Sequence, residues 1–226
     1  MATTGNKAET EGQDRTRTGS STEPLLHGAL NVPNAITLSR LLLAVVLFVL
    51  IDIKGFWITA AVLFVVAAST DFLDGYIARR YGLVTTLGRI LDPFVDKIIV
   101  IGTFIFLLGK KIGIEGGVEV HSGVNAWMVI IIIGREMFIT SLRGFLERQG
   151  QDFSASLTGK IKMTLQCIAI TASLLSLRPE ISRIHGFLLM RDILLWTAVA
   201  FTAYSGADYM VRASRMLRAD DHVDPE

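Results

Sequence analysis

The stretch DFLDGYIARRYGLVTTLGRILDPFVDK, residues 71–97, decides how the rest of the chain is read. Asp71, Asp74 and Ala78 stand at i, i+3 and i+7, and Gly88, Asp92 and Asp96 at i, i+4 and i+8. Each set falls on one helix face, because residues three and four apart lie one above the other. A turn near residues 81–86 separates them, so the spacing predicts an antiparallel pair of helices aiming four carboxylates into one pocket. Acidic groups in or near a membrane are costly and mark function by default. Two divalent cations balance four negative charges, and hard oxygen ligands suit Mg2+ or Mn2+. No Cys or His cluster accompanies the acids, which argues against structural zinc. Carboxylates bridging paired metals are a device of phosphoryl chemistry. Gly75 and Gly88 put no side chain between the backbone and a bulky ligand. Arg79 offers a fork of donors to phosphate oxygens. Salt bridges from the acids to Arg79, Arg80 and Arg89 are the plainer reading. They account for the charge, but not for the one-faced spacing or the glycines.

Outward from this stretch the chain is a series of apolar runs, approximately 34–53, 57–80, 87–110, 124–147, 156–177 and 186–212. Each is long enough to cross a hydrocarbon core of about 30 Å. Backbone polar groups must pair internally in lipid, so the expected fold is an all-α integral membrane bundle of six transmembrane helices. The alternation of a membrane β-barrel is absent. Residues 29–218 form the membrane domain in this reading. Residues 1–28, polar and rich in Thr, Gly and Ser, are expected to be a flexible cytoplasmic tail, and 219–226 a short acidic one.

Composition agrees. Of 226 residues 51% are apolar, the formal net charge is +1 and the mean hydropathy is +0.49. These values exclude a disordered regulator, a collagen-like rod and a disulfide scaffold, and they make no case for nucleic acid. The single Cys167 reads as an apolar helix residue. Lys and Arg gather in connections on the side of the N-terminus, at Arg79, Arg80, Arg89, Arg143, Arg148, Lys160 and Lys162, and again at Arg212, Arg215 and Arg218. That bias puts both termini in the cytoplasm of a multi-pass inner-membrane protein, with the pocket on the cytoplasmic side.

Other residues have ordinary readings. Trp57 and Trp127, near run ends, suit interfacial anchoring. Gly102, Ala126 and Gly134 permit close helix packing or dimerisation. Arg135 and Glu136 are adjacent and are expected to face different directions, with ion pairing to other helices as reasonable as contact with substrate.

The pattern Asp71-x2-Asp74-Gly75-x2-Ala78-Arg79-x8-Gly88-x3-Asp92-x3-Asp96 resembles the signature of the CDP-alcohol phosphatidyltransferase family at every defining position. Weaker flanking likenesses lie in NVPNAITLSR (31–40), GREMFITSLRGFL (134–146), GKIKMTLQ (159–166) and TAYSGADYM (202–210). The resemblance implies that Asp71, Asp74 and Asp92 ligate one metal and Asp71, Asp92 and Asp96 a second, with Asp96 also the proton acceptor. It implies that Gly75, Ala78, Arg79, Thr85 and Gly88 border the CDP-diacylglycerol headgroup, with Pro33, Asn34 and Thr37 closing over the nucleotide. The flanking segments favour sn-glycerol 3-phosphate as acceptor and CMP as leaving group, within a homodimer embedded in membrane lipid. Such an acceptor needs cations, and Arg143, Lys160 and Lys162 at inner helix ends are the candidates. Their other reading is topology and anionic lipid. Relatives making cardiolipin, phosphatidylinositol phosphate or phosphatidylserine are the nearest rivals. A divalent-cation or proton transporter is the rival of another class, although the acids cluster on one side only.

Overall fold

The computed structural model describes residues 32–53, 55–81, 86–114, 117–148 and 157–220. Side chains are described for these except 32–36, 71–81, 86–93, 96, 114 and 217–220. The expected tail at 1–28 lies outside the described residues, as does that at 219–226 except for 219 and 220, which end the last helix.

The elements are α1 (Val32–Asp52), α2 (Trp57–Tyr81), α3 (Thr86–Leu107), β1 (Lys111–Ile114), β2 (Val118–His121), α4 (Ala126–Arg148), α5 (Leu157–Ser176), the single turn α6 (Pro179–Ser182) and α7 (His185–Asp220). Each apolar run becomes one long helix of 20 to 36 residues. The chain is therefore mostly helical, but not wholly so. Between α3 and α4 it forms an antiparallel hairpin with Ile112 opposite Val120 and Lys111 opposite His121. The hairpin follows from period-two alternation, which puts Ile112 and Val120 against the bundle while Lys111 and Glu119 face out. Gly117, with φ of 77°, takes the left-handed turn. A hydrogen bond from Lys111 at 2.8 Å lowers the Glu119 carboxyl from its ordinary range. The pair is exposed, so it adds little stability.

One core of Leu47, Phe64, Ile99, Phe104, Ile132 and Leu174 runs through the bundle. Helices α1, α2 and α3 pack together, α2 and α3 meet α5, and both α4 and α5 pack on α7. Phe48 of α1 packs over Gly102 of α3. A Cβ there would stand 2.3 Å from Phe48 Cζ, and the Phe48 ring is itself stacked on Phe106 at 4.8 Å. Gly102→Ala is expected to destabilise the bundle by about 1–3 kcal/mol, since the wedged ring must move. Thermal unfolding in detergent measures it as a lowered midpoint. Among the described residues, nothing lies within 4 Å of a Cβ built at Gly134.

Apolar side chains also cover the outside, among them Leu38, Leu42, Val49, Val62, Ile130, Met137, Leu189 and Trp196. Trp127 is exposed as an interfacial anchor would be, but Trp57 is buried at 3% exposure and belongs to the core. Its side chain points into the core from the start of α2, which position along the run could not reveal. Among the described residues, α7 over His185–Met216 is the one helix long and apolar enough to cross a membrane by itself. Trp57–Thr70 and Lys97–Leu107 are shorter apolar stretches among the described residues.

Candidate functional site

Antiparallel succession is the expected arrangement of consecutive long helices in a bundle. Cross-helix contacts bear out the directions. Thr158 meets Asp208 at 3.4 Å, Gln166 meets Thr202 at 2.9 Å and Ser176 meets Arg191 at 3.1 Å, so α5 and α7 are antiparallel. Phe48 meets both Gly102 and Phe106, and Asp52 meets Lys110, consistent with parallel α1 and α3. One end of the bundle therefore collects the start of α1, the end of α2, the starts of α3 and α5, and the ends of α4 and α7. Every candidate residue belongs to these segments or to the connection at 82–85.

On that end, α2 carries positions 71, 74, 75, 78 and 79, and α3 carries 88, 92 and 96, all on unbroken helix. The two helices contact one another. The backbone thus supplies the one-faced registers that the spacing predicts. The side chains of Asp71, Asp74, Gly75, Ala78, Arg79, Gly88, Asp92 and Asp96 lie outside the described residues, as do Thr85 and the side chains of Pro33 and Asn34. Thr37 is described: it is buried on the first turns of α1, one turn before buried Arg40. Four carboxylates on helical backbone, without thiol or imidazole, form a donor set that fits Mg2+ or Mn2+. Among the described residues no group of three or more His, Cys, Asp or Glu gathers.

The three basic candidates differ in surroundings. Arg143 is partly exposed and pairs with Glu147 on the next turn of α4 at 3.3 Å. Lys160 is exposed near the start of α5. Lys162 is 7% exposed and donates to Glu136 of α4.

Glu136 and Arg135 reach different helices, as expected, and Glu136 forms an ion pair with another helix through Lys162 of α5. The two are also linked to each other, Arg135 Nη1 lying 3.3 Å from Glu136 Oε1. Arg135 also donates to Ser205 of α7 at 2.7 Å and covers the Tyr209 ring at 5.4 Å. A second link, Lys97 Nζ to Thr140 Oγ1 at 2.5 Å, ties α3 to α4 one residue beyond Asp96. Sequence reading missed that link and the Glu136–Lys162 pair. The available signal was charge inside the apolar run IIIIGRE, residues 130–136.

Comparison with known proteins gives one family match and several relatives of one named activity. The family model described as CDP-alcohol phosphatidyltransferase matches residues 30–204. The CDP-diacylglycerol–glycerol-3-phosphate 3-phosphatidyltransferase of Bacillus subtilis (strain 168) is 35% identical over 206 residues, covering 84% of this chain and 99% of the relative. The Rickettsia bellii protein of the same name is 36% identical over 181 residues, covering 79% and 93%. A second form of this enzyme from Arabidopsis thaliana is 33% identical over 199 residues, covering 83% and 82%.

Proposed function

Since the chain belongs to the CDP-alcohol phosphatidyltransferase family, we infer that it transfers the phosphatidyl group of CDP-diacylglycerol to the 1-hydroxyl of sn-glycerol 3-phosphate. The products are phosphatidylglycerophosphate and CMP, and the process is phospholipid biosynthesis. The observation that carries the acceptor is that relatives from bacteria and a plant, matched over most of both lengths, share that named activity. The observation that carries the chemistry is the acidic pattern at residues 71–96 on two touching helices.

Asp71, Asp74, Asp92 and Asp96 would hold two Mg2+ or Mn2+ ions, whose charge would offset that developing on the diphosphate as CMP departs. Arg79 grips phosphate oxygens of the nucleotide, and Gly75, Ala78 and Gly88 leave room for the headgroup, bordered by Thr85. Pro33, Asn34 and Thr37 cover the nucleotide from α1. Asp96 takes the proton of the acceptor hydroxyl as its oxygen bonds to the lipid-linked phosphorus. Arg143, Lys160 and Lys162 receive the acceptor's phosphate. The donor carries two acyl chains, which explains a helical bundle with apolar side chains on its outside: the chains stay in lipid while the headgroup reaches the water-facing end. We read the six long helices as spans of the inner membrane, with both termini and the cavity cytoplasmic, in a homodimer.

The test uses the purified full chain in mixed micelles with Mg2+ or Mn2+, CDP-diacylglycerol and labelled glycerol 3-phosphate. It is expected to form labelled phosphatidylglycerophosphate and release CMP, and to stop when EDTA removes the cations. Unlabelled inositol phosphate, serine or phosphatidylglycerol in excess should leave the product undiminished. A preference for one of them would reassign the acceptor. Cation flux through proteoliposomes without CMP release would restore the transporter reading.

A further inference from the structure

Glu136 lies two helical turns, about 10 Å, further into the bundle than Arg143. It is 9% exposed. Its Oε1 accepts from Lys162 Nζ of α5 and faces Arg135, which is moored to Ser205 and Tyr209 of α7. Its backbone carbonyl accepts from the Thr140 hydroxyl at 2.6 Å, and that hydroxyl in turn accepts from Lys97 of α3. Elements α3, α4, α5 and α7 thus meet at one acidic residue. Two cations, Lys162 and Arg135, stand at the one carboxylate and leave a surplus of one positive charge for a phosphate to meet, with Lys97 linked to the backbone of Glu136 through Thr140. Without Glu136, a lysine on a flexible stem would extend its head toward water, away from the other cations.

We propose that Glu136 is a positioning residue for the acceptor: it holds Lys162 at the inner wall of the site, where the ammonium meets the phosphate of glycerol 3-phosphate. This rests on the reading above that the acceptor carries a phosphate. Arg135 acts one step further out, fixing Glu136 against α7. The Glu136 carboxylate touches neither substrate. Its effect runs through Lys162, so it governs acceptor binding and leaves the lipid donor alone.

The experiment measures the KM of each substrate, kcat and the thermal midpoint for the full chain in lipid nanodiscs. Glu136→Gln is expected to raise KM for glycerol 3-phosphate about tenfold or more, with KM for CDP-diacylglycerol and kcat changed by less than about threefold. Glu136→Asp recovers part of the loss. Lys162→Met raises the same KM at least as much, and adding Glu136→Leu to it raises it no further. That double variant replaces the ion pair by apolar side chains, a change buried pairs often tolerate, and so remains informative if Glu136→Gln fails to fold. A lowered midpoint with unchanged acceptor KM would make the pair merely structural and overturn the proposal. So would a double variant worse than Lys162→Met alone. A wild-type chain inactive with glycerol 3-phosphate overturns the proposal together with the reading beneath it, and is recognisable because no variant is then needed to see the failure.

Discussion

Asp92→Asn is expected to reduce phosphatidylglycerophosphate formation by about a thousandfold or more, and Asp96→Asn by about a hundred- to ten-thousandfold. Asparagine matches aspartate in size and in helix propensity. The exchange therefore removes a negative charge while the α3 backbone, which carries both positions on continuous helix, persists. Position 92 is expected to serve both cations, so its neutralisation weakens both and the loss is not recovered by raising substrate. Position 96 has a second duty as proton acceptor, and an amide cannot take that proton. Labelled-product formation checks both, with the thermal midpoint as control. Activity of either variant near that of the wild type at an unchanged midpoint would contradict the roles assigned to these acids. Raising Mg2+ or Mn2+ is expected to rescue Asp92→Asn partially and Asp96→Asn very little.

The second large effect belongs to the opposite end of the bundle and should leave the chemistry intact. Arg191 of α7 is 6% exposed. Its Nη1 donates to the His121 carbonyl of β2 at 2.6 Å and to the Ser176 hydroxyl of α5 at 3.1 Å, while Nη2 reaches Asp192 at 2.7 Å. Nearby, Ser122 donates to the Leu107 carbonyl at 2.6 Å and Ser173 to the Ser122 carbonyl at 2.7 Å. One side chain therefore clamps the hairpin to two helices, and Gly123, with φ of 81°, lets it approach. A Cβ at 123 would stand 2.7 Å from Arg191 Nε. Arg191→Ala leaves a carbonyl and a hydroxyl without their donor and opens a void beside buried Leu195. The expected cost is about 3 kcal/mol, read as a lowered thermal midpoint. Both KM values should stay within about twofold of wild type, because the clamp sits at the far end of α7 from the acceptor residues. A midpoint equal to wild type would show that water satisfies those groups at no cost.

Much of the fold was legible because helix formation over an apolar run is a local matter. The six long helices begin and end near the runs that predict them, while the turn expected between α2 and α3 lies at 82–85, outside the described residues. The hairpin was not legible, since two strands of four residues carry too short an alternation to stand out beside loops. Nor was the burial of Trp57, because an aromatic residue at a run's end looks the same whether it faces lipid or core.

The site divides in the same way. Spacing alone determined that Asp71 and Asp74, and Asp92 and Asp96, share helix faces, because the 3.6-residue repeat is a property of one chain segment. Likewise Gly88 and Arg79 could be named as ligand-facing types without knowledge of any neighbour. Only the tertiary structure decided that Lys162 is held by Glu136, that Arg135 reaches Ser205, and that Lys97 bonds Thr140. Those partners lie 26, 70 and 43 residues apart. Which side chains pair across such separations is set by the packing of whole helices and by the low dielectric between them, where an unpaired charge is costly. No local pattern encodes either.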